Sequence, residues 1–208
     1  MAITYPIDTP ATGIAQISLI ARDATALTQS PFTFKQQAQR SAGQRWEADI
    51  SLPPMQRDTA EPWVAFLAKL RGPYGTFLMG DPNGATARGS ASTTPGTPVV
   101  NGAAQTGDTL SIDGLPALAT GYLKAGDYIQ IGGGSDARLY KVLDDVDTSA
   151  SGEADLTLWP DLRSSPADCA AVVVANAKGL FRLSTPASNW SISTGGFYSI
   201  AFGAVEAI

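Results

Sequence analysis

The sequence contains no histidine and only one cysteine, Cys169, among its 208 residues. This excludes Cys/His zinc sites, Ser-His-Asp and Cys-His catalysis, and any intrachain disulfide. A general base working near neutral pH would have to be a carboxylate or a lysine with a shifted pKa. The sequence thus offers little material for acid–base or nucleophilic chemistry.

Charged residues are also scarce, at 16% of the chain against roughly 25% in an average soluble domain. The 19 acidic and 14 basic residues give a net charge of −5, which excludes a broad basic surface for nucleic acid. The hydrophobic content of 44% is enough for a core and excludes wholesale disorder.

The sequence shows no targeting or membrane signal. No basic region followed by an apolar block opens the chain, so we expect no signal peptide. Residues 183–205 are uncharged, but Pro186 and the pair Gly195-Gly196 predict two strands around a turn instead of a spanning helix. We expect a protein that is first soluble in a cytoplasm, and the single cysteine is compatible with that compartment.

A period of two residues marks the predicted strands of the first third and of the carboxyl end. It is clearest from Arg45 to Leu52, where the residues expected to be buried are Trp46, Ala48, Ile50 and Leu52. Similar patterns predict strands over 13–22, around Phe32 and Phe34, and over 75–79, 180–183, 190–192 and 197–205.

The last of these strands has two unlike faces. Tyr198, Ile200 and Phe202 form a bulky face, and Ser199, Ala201 and Gly203 form a small one. This contrast suits a strand that packs on a core and is closely approached from behind.

One helix is predicted, from about Asp58 to Arg71. Asp58 is the expected cap, with Glu61 completing a capping box and Pro62 in the first turn. A stripe at helical spacing follows, made of Trp63, Phe66, Leu67 and Leu70. It predicts a helix that covers a sheet, with a groove for a partner as the alternative.

The middle of the chain predicts a second β unit. Residues 85–107 are rich in Ala, Gly, Ser, Thr and Pro and are interpreted as a linker or extended loop. Short strands separated by turn signals then follow over 109–112, 128–131, 138–143, 155–159 and 171–174, as in a small barrel.

The predicted architecture is therefore mainly β, with one α-helix near 58–71 and an inserted small β-barrel. In the simplest topology residues 1–84 and 178–208 form one β domain, and residues 85–177 are the linker and the inserted barrel. Sequential domains at 1–100 and 101–208 are the alternative.

Two loops resemble ligand sites but depart from the required patterns. Counted from Asp145, the loop 144–153 has Ala150 where a calcium loop needs glycine, and Leu156 where it needs glutamate. Gly132 to Ser135 could hold a phosphate only in front of a helix, and a strand is predicted there. Both loops are predicted to be hairpin turns.

Two further candidates concern carbohydrate chemistry. Glu47 and Asp49 project from one face of a strand, as a pair of glycosidase carboxylates would, although such pairs are common on exposed strands. Trp159, beside Pro160, is either an exposed aromatic that stacks on sugar or a partner, or a plug of the small barrel. We therefore predict no catalytic, cofactor-binding or metal-binding residue.

The sequence resembles distal tail proteins of long, non-contractile-tailed bacteriophages. The resemblance lies in the segment order and in the runs Arg45–Pro54, Glu61–Leu67, Gly75–Pro82 and Trp190–Ile208. It implies a tail-tube-like β-sandwich or barrel with one helix, hexameric rings between the tail tube and the tip complex, and a small β domain outside the ring. It implies a location in the virion tail tip, after the host cytoplasm.

The favoured function is thus a structural virion protein, with no enzyme activity, no cofactor and no membrane insertion. Its expected neighbours are the tail tube and the tip or hub proteins, with DNA passing through without specific binding. An acidic channel would repel phosphates, so we expect Asp and Glu to be enriched on its lumen. The alternatives are another tail-tube or tube-terminating protein, a carbohydrate-binding module and a carboxylate hydrolase.

Overall fold

The computed structural model describes residues 3–10, 14 and 16–208. The chain is mainly β, with 40% strand and 11% helix. This confirms the predicted class, including the single α-helix and a small β-barrel beside a larger sheet. Gly13, where one predicted strand begins, lies outside the described residues.

Thirteen strands and one α-helix follow one another along the described chain. In chain order they are β1 (Ile7–Asp8), β2 (Gln16–Gln29), β3 (Gln36–Ser51), α1 (Arg57–Leu70), β4 (Phe77–Met79), β5 (Val99–Val100), β6 (Thr109–Asp113), β7 (Tyr128–Ile131), β8 (Arg138–Val142), β9 (Ala154–Trp159), β10 (Val172–Val173), β11 (Gly179–Leu183), β12 (Trp190–Ile192) and β13 (Tyr198–Glu206).

The first sheet combines strands from both ends of the chain. Its order is β1-β4-β11-β13-β3-β2, and β12 pairs with β13 beside this path. The β1–β4 pair is parallel, while β3 is antiparallel to both β2 and β13. The carboxyl-terminal strands thus complete a sheet that the amino-terminal strands begin.

The buried face of this sheet follows the predicted alternation. Exposure is 4% or less at all four predicted core positions of β3 and its end, Trp46, Ala48, Ile50 and Leu52. In β13, Tyr198 and Ile200 are buried, whereas Ser199 and Ala201 are exposed. The predicted bulky and small faces of the last strand are confirmed.

Helix α1 covers the sheet with its apolar stripe. Trp63, Phe66, Leu67 and Leu70 are all buried. The Phe66 ring meets Phe77 edge-on at 5.4 Å between centroids, and Trp63 lies 6.1 Å from Phe202. The stripe is therefore core, as predicted, and not an open groove for a partner.

The start of α1 differs from the prediction. Gln56 is the N-cap and makes no side-chain capping hydrogen bond, while Asp58 lies inside the first turn. Pro62 falls in the helix interior and not in its first turn. The missing cap and the interior proline both weaken helix α1. Burial of its apolar stripe is therefore what stabilises the helix.

The second sheet closes into the small barrel, which we define as residues 85–177. Its order is β10-β7-β8-β9-β6-β5. The two ends meet through a Val99–Ala171 bridge and through the amide of Val172, which donates to Pro98 O at 2.9 Å. The five predicted strands are confirmed within about two residues, and β5 was not predicted.

Of the two predicted forms of residues 85–107, the extended loop fits and the linker does not, because the segment packs on the small barrel. The segment contains a short 3-10 turn at Ser90–Ser92 and strand β5. Ala87, Ala91 and Val100 are buried in the core of the small barrel. The small residues that suggested a linker instead permit close packing, because a Cβ at Gly89 would lie 2.2 Å from Tyr122 O.

The chain leaves the first sheet and returns to it at one place. The amide of Asn176 donates to Ala85 O at 2.6 Å. A Cβ at Gly80 would lie 2.1 Å from Ala177 O, so only glycine fits this close approach. The small barrel thus begins and ends at neighbouring points.

No helix within residues 3–10, 14 and 16–208 has the length and apolar character needed to cross a membrane.

Candidate assembly surfaces

Polar contacts hold the small barrel against the first sheet. Arg163 Nη2 lies 2.6 Å from Glu206 Oε2, and the two side chains are 10% and 2% exposed. The indole of Trp46 donates to Leu139 O at 2.9 Å, and the Asp161 amide donates to Gln44 Oε1 at 2.7 Å. These specific bonds orient the two sheets relative to each other, so the surfaces described below keep fixed positions.

Trp159 belongs to this junction. Its ring packs edge-on against Trp46, with 4.5 Å between centroids, and its indole donates to Asp23 Oδ1 at 3.1 Å. It is half-buried and packs on the core of the first sheet. The predicted plug of the small barrel is wrong for Trp159, because its ring packs on the core of the first sheet. Stacking on sugar or on a partner stays a prediction, since Trp159 also lines an open pocket with Tyr128 and Lys141.

The first sheet has a long open edge at β2. This strand has 14 residues and pairs with β3 along one side. No strand within the described part of the chain pairs with its other side. A row of backbone N–H and C=O groups is therefore presented outward, in the form that accepts another strand.

The outer halves of β2 and β3 form a projecting hairpin, which we call the arm and define as residues 24–43. A bulge between Asp23 and Thr25 separates it from the inner half of the hairpin. Every arm residue is exposed except half-buried Ser30. Arg40 bonds Asp161 at 2.7 Å, which ties the base of the arm to the small barrel.

The tip of the arm is apolar. Phe32 and Phe34 are 92% and 72% exposed, and Leu27 is 61% exposed. The predicted strand around Phe32 and Phe34 is instead the turn of the hairpin, where Phe34 has a φ of 55°. Side chains of this size at a loop end are typical of a contact surface and not of a solvated turn.

A groove of about 430 Å³ lies at the opposite end of β3. It is lined by uncharged residues, namely Ser51, Leu52, Pro54, Asn189, Trp190, Ser191, Ser199, Ile200 and Ala201. Trp190 is 43% exposed, and its neighbours Ile192 and Phe197 are 57% and 44% exposed. This is the second exposed apolar surface of the first sheet.

The outer face of the sheet carries an ionic cluster that includes Glu47. Its carboxylate lies 2.8 Å from Arg22 Nε and 2.6 Å from Arg45 Nη2. The hydrogen bond from Arg22 is the main cause of a pKa below the usual glutamate value, and the bond from Arg45 adds to it. Asp49 shares the exposed face, but Glu47 lacks the raised pKa that a glycosidase acid needs.

The two loops that resemble ligand sites are structural turns. Asp145 accepts the Ala125 amide at 2.9 Å and pairs with Lys124, and Asp147 accepts the Gly121 amide at 2.6 Å. The segment from Gly132 joins the antiparallel strands β7 and β8, which confirms the predicted hairpin, and it contains a 3-10 turn. Among the residues with described positions, no group of three or more His, Cys, Asp or Glu could hold a metal ion.

Sequence reasoning missed the arm and the groove. Residues 36–44 are rich in glutamine and show no amphipathic pattern, so they predict neither an extended strand nor its exposure. Trp190 lies in a strand that was predicted correctly. The sequence does not show that its side chain is exposed, because the exposure depends on which strands flank β13. The one available signal was the pair Phe32 and Phe34, which comes just before this polar run.

No protein-family model matches the chain, and a search of the curated proteins finds no match.

Proposed function

We propose that this chain is a structural subunit of a phage tail, which forms a ring at the distal end of the tail and joins the tube to the tip complex. The open edge of β2 is the observation that carries the proposal, because 14 residues whose outer side pairs with no described strand call for a neighbouring strand. The resemblance of the sequence to distal tail proteins is the reason for assigning this ring to a phage tail. The tube and the hub proteins are the neighbours that such a ring needs.

A cyclic array covers this edge in every copy. Each copy offers β2 to the next one, and the last copy meets the first, so the ring leaves no β2 edge open. Six copies are expected from the resemblance. The fixed junction between the two sheets would place the small barrel at the same position in each copy.

The charges on the exposed face of the first sheet can be compared with the acidic lining expected for the channel. Arg22 and Arg45 stand there beside Glu47 and Asp49, so acidic groups are not in excess on this face. The expected acidic lumen therefore stays a prediction. Passage of DNA without specific binding is supported by the net charge of −5.

Native mass spectrometry of the purified full chain tests the ring. We expect six copies, and a strict monomer at high micromolar concentration in the presence of the tube and hub proteins would refute the proposal. The variant Ile20→Lys introduces a charge on β2, where Ile20 is 37% exposed, and should weaken assembly. Its control is Val173→Lys in β10, at 36% exposure.

Labelling of intact particles tests the location. Antibody bound only at the distal tail end supports the proposal. Regular labelling along the tail would instead assign the chain to the tube. Labelling at the head-proximal end of the tube would assign it to a tube-terminating ring.

A further inference from the structure

We infer that the arm tip of one copy occupies the groove beside Trp190 in a second copy. The inference rests on the proposed function, because it names the surfaces through which copies of a ring subunit meet. It concerns a different contact from the open edge of β2. The two contacts can therefore be tested separately.

The geometry of β3 keeps the arm tip of one chain away from the groove of the same chain. The arm tip precedes the first residue of β3, and the groove begins at its last residue, Ser51. β3 has 16 residues, which corresponds to about 50 Å at roughly 3.3 Å per residue. The tip and the groove of one chain face away from each other along this strand, so the tip cannot fill its own groove.

The chemistry of the two surfaces matches. Phe32 and Phe34 present aromatic rings at 92% and 72% exposure, and the groove offers Leu52, Pro54 and the half-exposed indole of Trp190. The groove lining is uncharged, so insertion of the phenylalanines leaves no charge buried without a partner. Burial of all these groups removes apolar surface from water.

The charge distribution favours a second copy as the source of the arm. The arm contains Lys35 and Arg40 and no acidic residue, whereas the whole chain has a net charge of −5. The arm is thus +2 and the remainder of the chain −7, and the Arg40–Asp161 pair within one copy neutralises one charge on each side, so Lys35 is the arm charge left for a second copy. Approach of the basic arm to an acidic second copy is attractive, and the attraction weakens with salt.

A contact between unlike surfaces repeats from copy to copy. The tip of the first copy enters the second, and the tip of the second enters a third. Such a head-to-tail contact closes a ring or joins stacked copies. Its signature is that tip and groove always come from different chains.

Two single-cysteine chains provide the direct test. In a Cys169→Ser background, one chain carries Thr33→Cys at the arm tip and the other carries Ser191→Cys in the groove. Under mild oxidation we expect a disulfide-linked dimer on mixing, at least tenfold more abundant than with either chain alone. A Ser135→Cys chain, altered at an exposed turn of the small barrel, replaces the groove chain as the matched control and should give no excess dimer.

Several outcomes would overturn the inference. Dimers of the Thr33→Cys chain alone would show that tips meet tips, and equal yields with the Ser135→Cys control would show random collision. A six-copy assembly without tip–groove linkage would overturn this inference and leave the proposed ring standing. Linkage in a protein absent from the tail would support the inference and refute the proposed function.

A second measurement checks the chemistry of the contact. The double variant Phe32→Ser/Phe34→Ser should weaken association in sedimentation at least tenfold, while Leu143→Ser, at an exposed apolar site of the small barrel, should leave it unchanged. Equal effects of the two would overturn the inference. Protection of the Ser191→Cys thiol by maltohexaose or chitohexaose, without linkage to the arm, would assign the groove to carbohydrate and overturn it as well.

Discussion

Arg163 and Glu206 form a buried ion pair that joins the small barrel to the last strand of the first sheet. Arg163 donates from Nη2 at 2.6 Å and from Nε at 3.3 Å, and Glu206 also accepts the Trp46 amide at 3.0 Å. The carboxylate is thus held by groups from two other parts of the chain. A charge so enclosed depends on its partner, because water cannot replace it.

The first prediction concerns this pair. Arg163→Met should lower the free energy of unfolding by about 3–5 kcal/mol, because it leaves the Glu206 carboxylate buried without its partner. Arg40→Met removes the exposed pair with Asp161, whose side chains are 58% and 32% exposed, and should cost less than about 1 kcal/mol. Urea denaturation measures both.

A double variant separates the buried charge from lost packing. Arg163→Met/Glu206→Gln removes both charges and should be more stable than Arg163→Met alone. If the two variants unfold at the same urea concentration, the uncompensated charge is not the cause of the loss.

The second prediction concerns the close approach at Gly80. A Cβ there would lie 2.1 Å from Ala177 O, so Gly80→Ala should destabilise the protein by about 1–3 kcal/mol through displaced backbone. Gly133→Ala is the control, since a Cβ at Gly133 meets nothing within 4 Å. Thermal unfolding should show a lower Tm for Gly80→Ala, and an unchanged Tm would contradict this packing.

The third prediction concerns the pKa of Glu47. Because this pKa is lowered in the folded state, the stabilisation is present above the ordinary value near 4.5 and is lost as the pH falls through the lower, folded-state pKa. Carbon-13 NMR titration should show this directly. Arg22→Ala should raise the pKa of Glu47 more than Arg45→Ala, since the Arg22 hydrogen bond is the larger cause. The reverse order would show that the closer Arg45 guanidinium, at 2.6 Å, is the larger cause, and would contradict this assignment.

The fourth prediction concerns the arm. Replacement of residues 25–42 by an Asn-Gly turn should leave the stability of the first sheet within about 1 kcal/mol, because the removed side chains are almost all exposed. Near-ultraviolet circular dichroism should keep its tryptophan bands. A molten spectrum would mean that the arm supports the core, and would reassign it from a contact element to a folding element.

Sequence patterns predicted the parts of the fold in which burial on one face imposes an alternation. Trp46 to Leu52 and Tyr198 to Phe202 are such parts, and so are the strands of the small barrel. The outer halves of β2 and β3 bury neither face, so nothing selects an alternation there, and Gln36 to Arg40 carry no strand signal.

The junction between the two sheets was beyond sequence reasoning for a different reason. Asp23, Trp46 and Trp159 are far apart in the chain, and each alone fits an ordinary exposed or buried role. Their meeting depends on how the small barrel is oriented, which no local pattern records. The start of α1 was also beyond local sequence patterns. Asp58 has the right residue type for an N-cap, but the N-cap is Gln56, two residues earlier.

The hydrogen bond from Asn176 to Ala85 places both crossing points of the polypeptide side by side. Another module whose termini are adjacent could therefore replace the small barrel without displacing the strands of the first sheet. Such a module would have to bring its own cation for Glu206 and its own acceptor for the Trp46 indole. Because the two crossing points are adjacent, replacement of the small barrel by another module is topologically simple. The replacement must still provide hydrogen-bonding partners for Glu206 and Trp46.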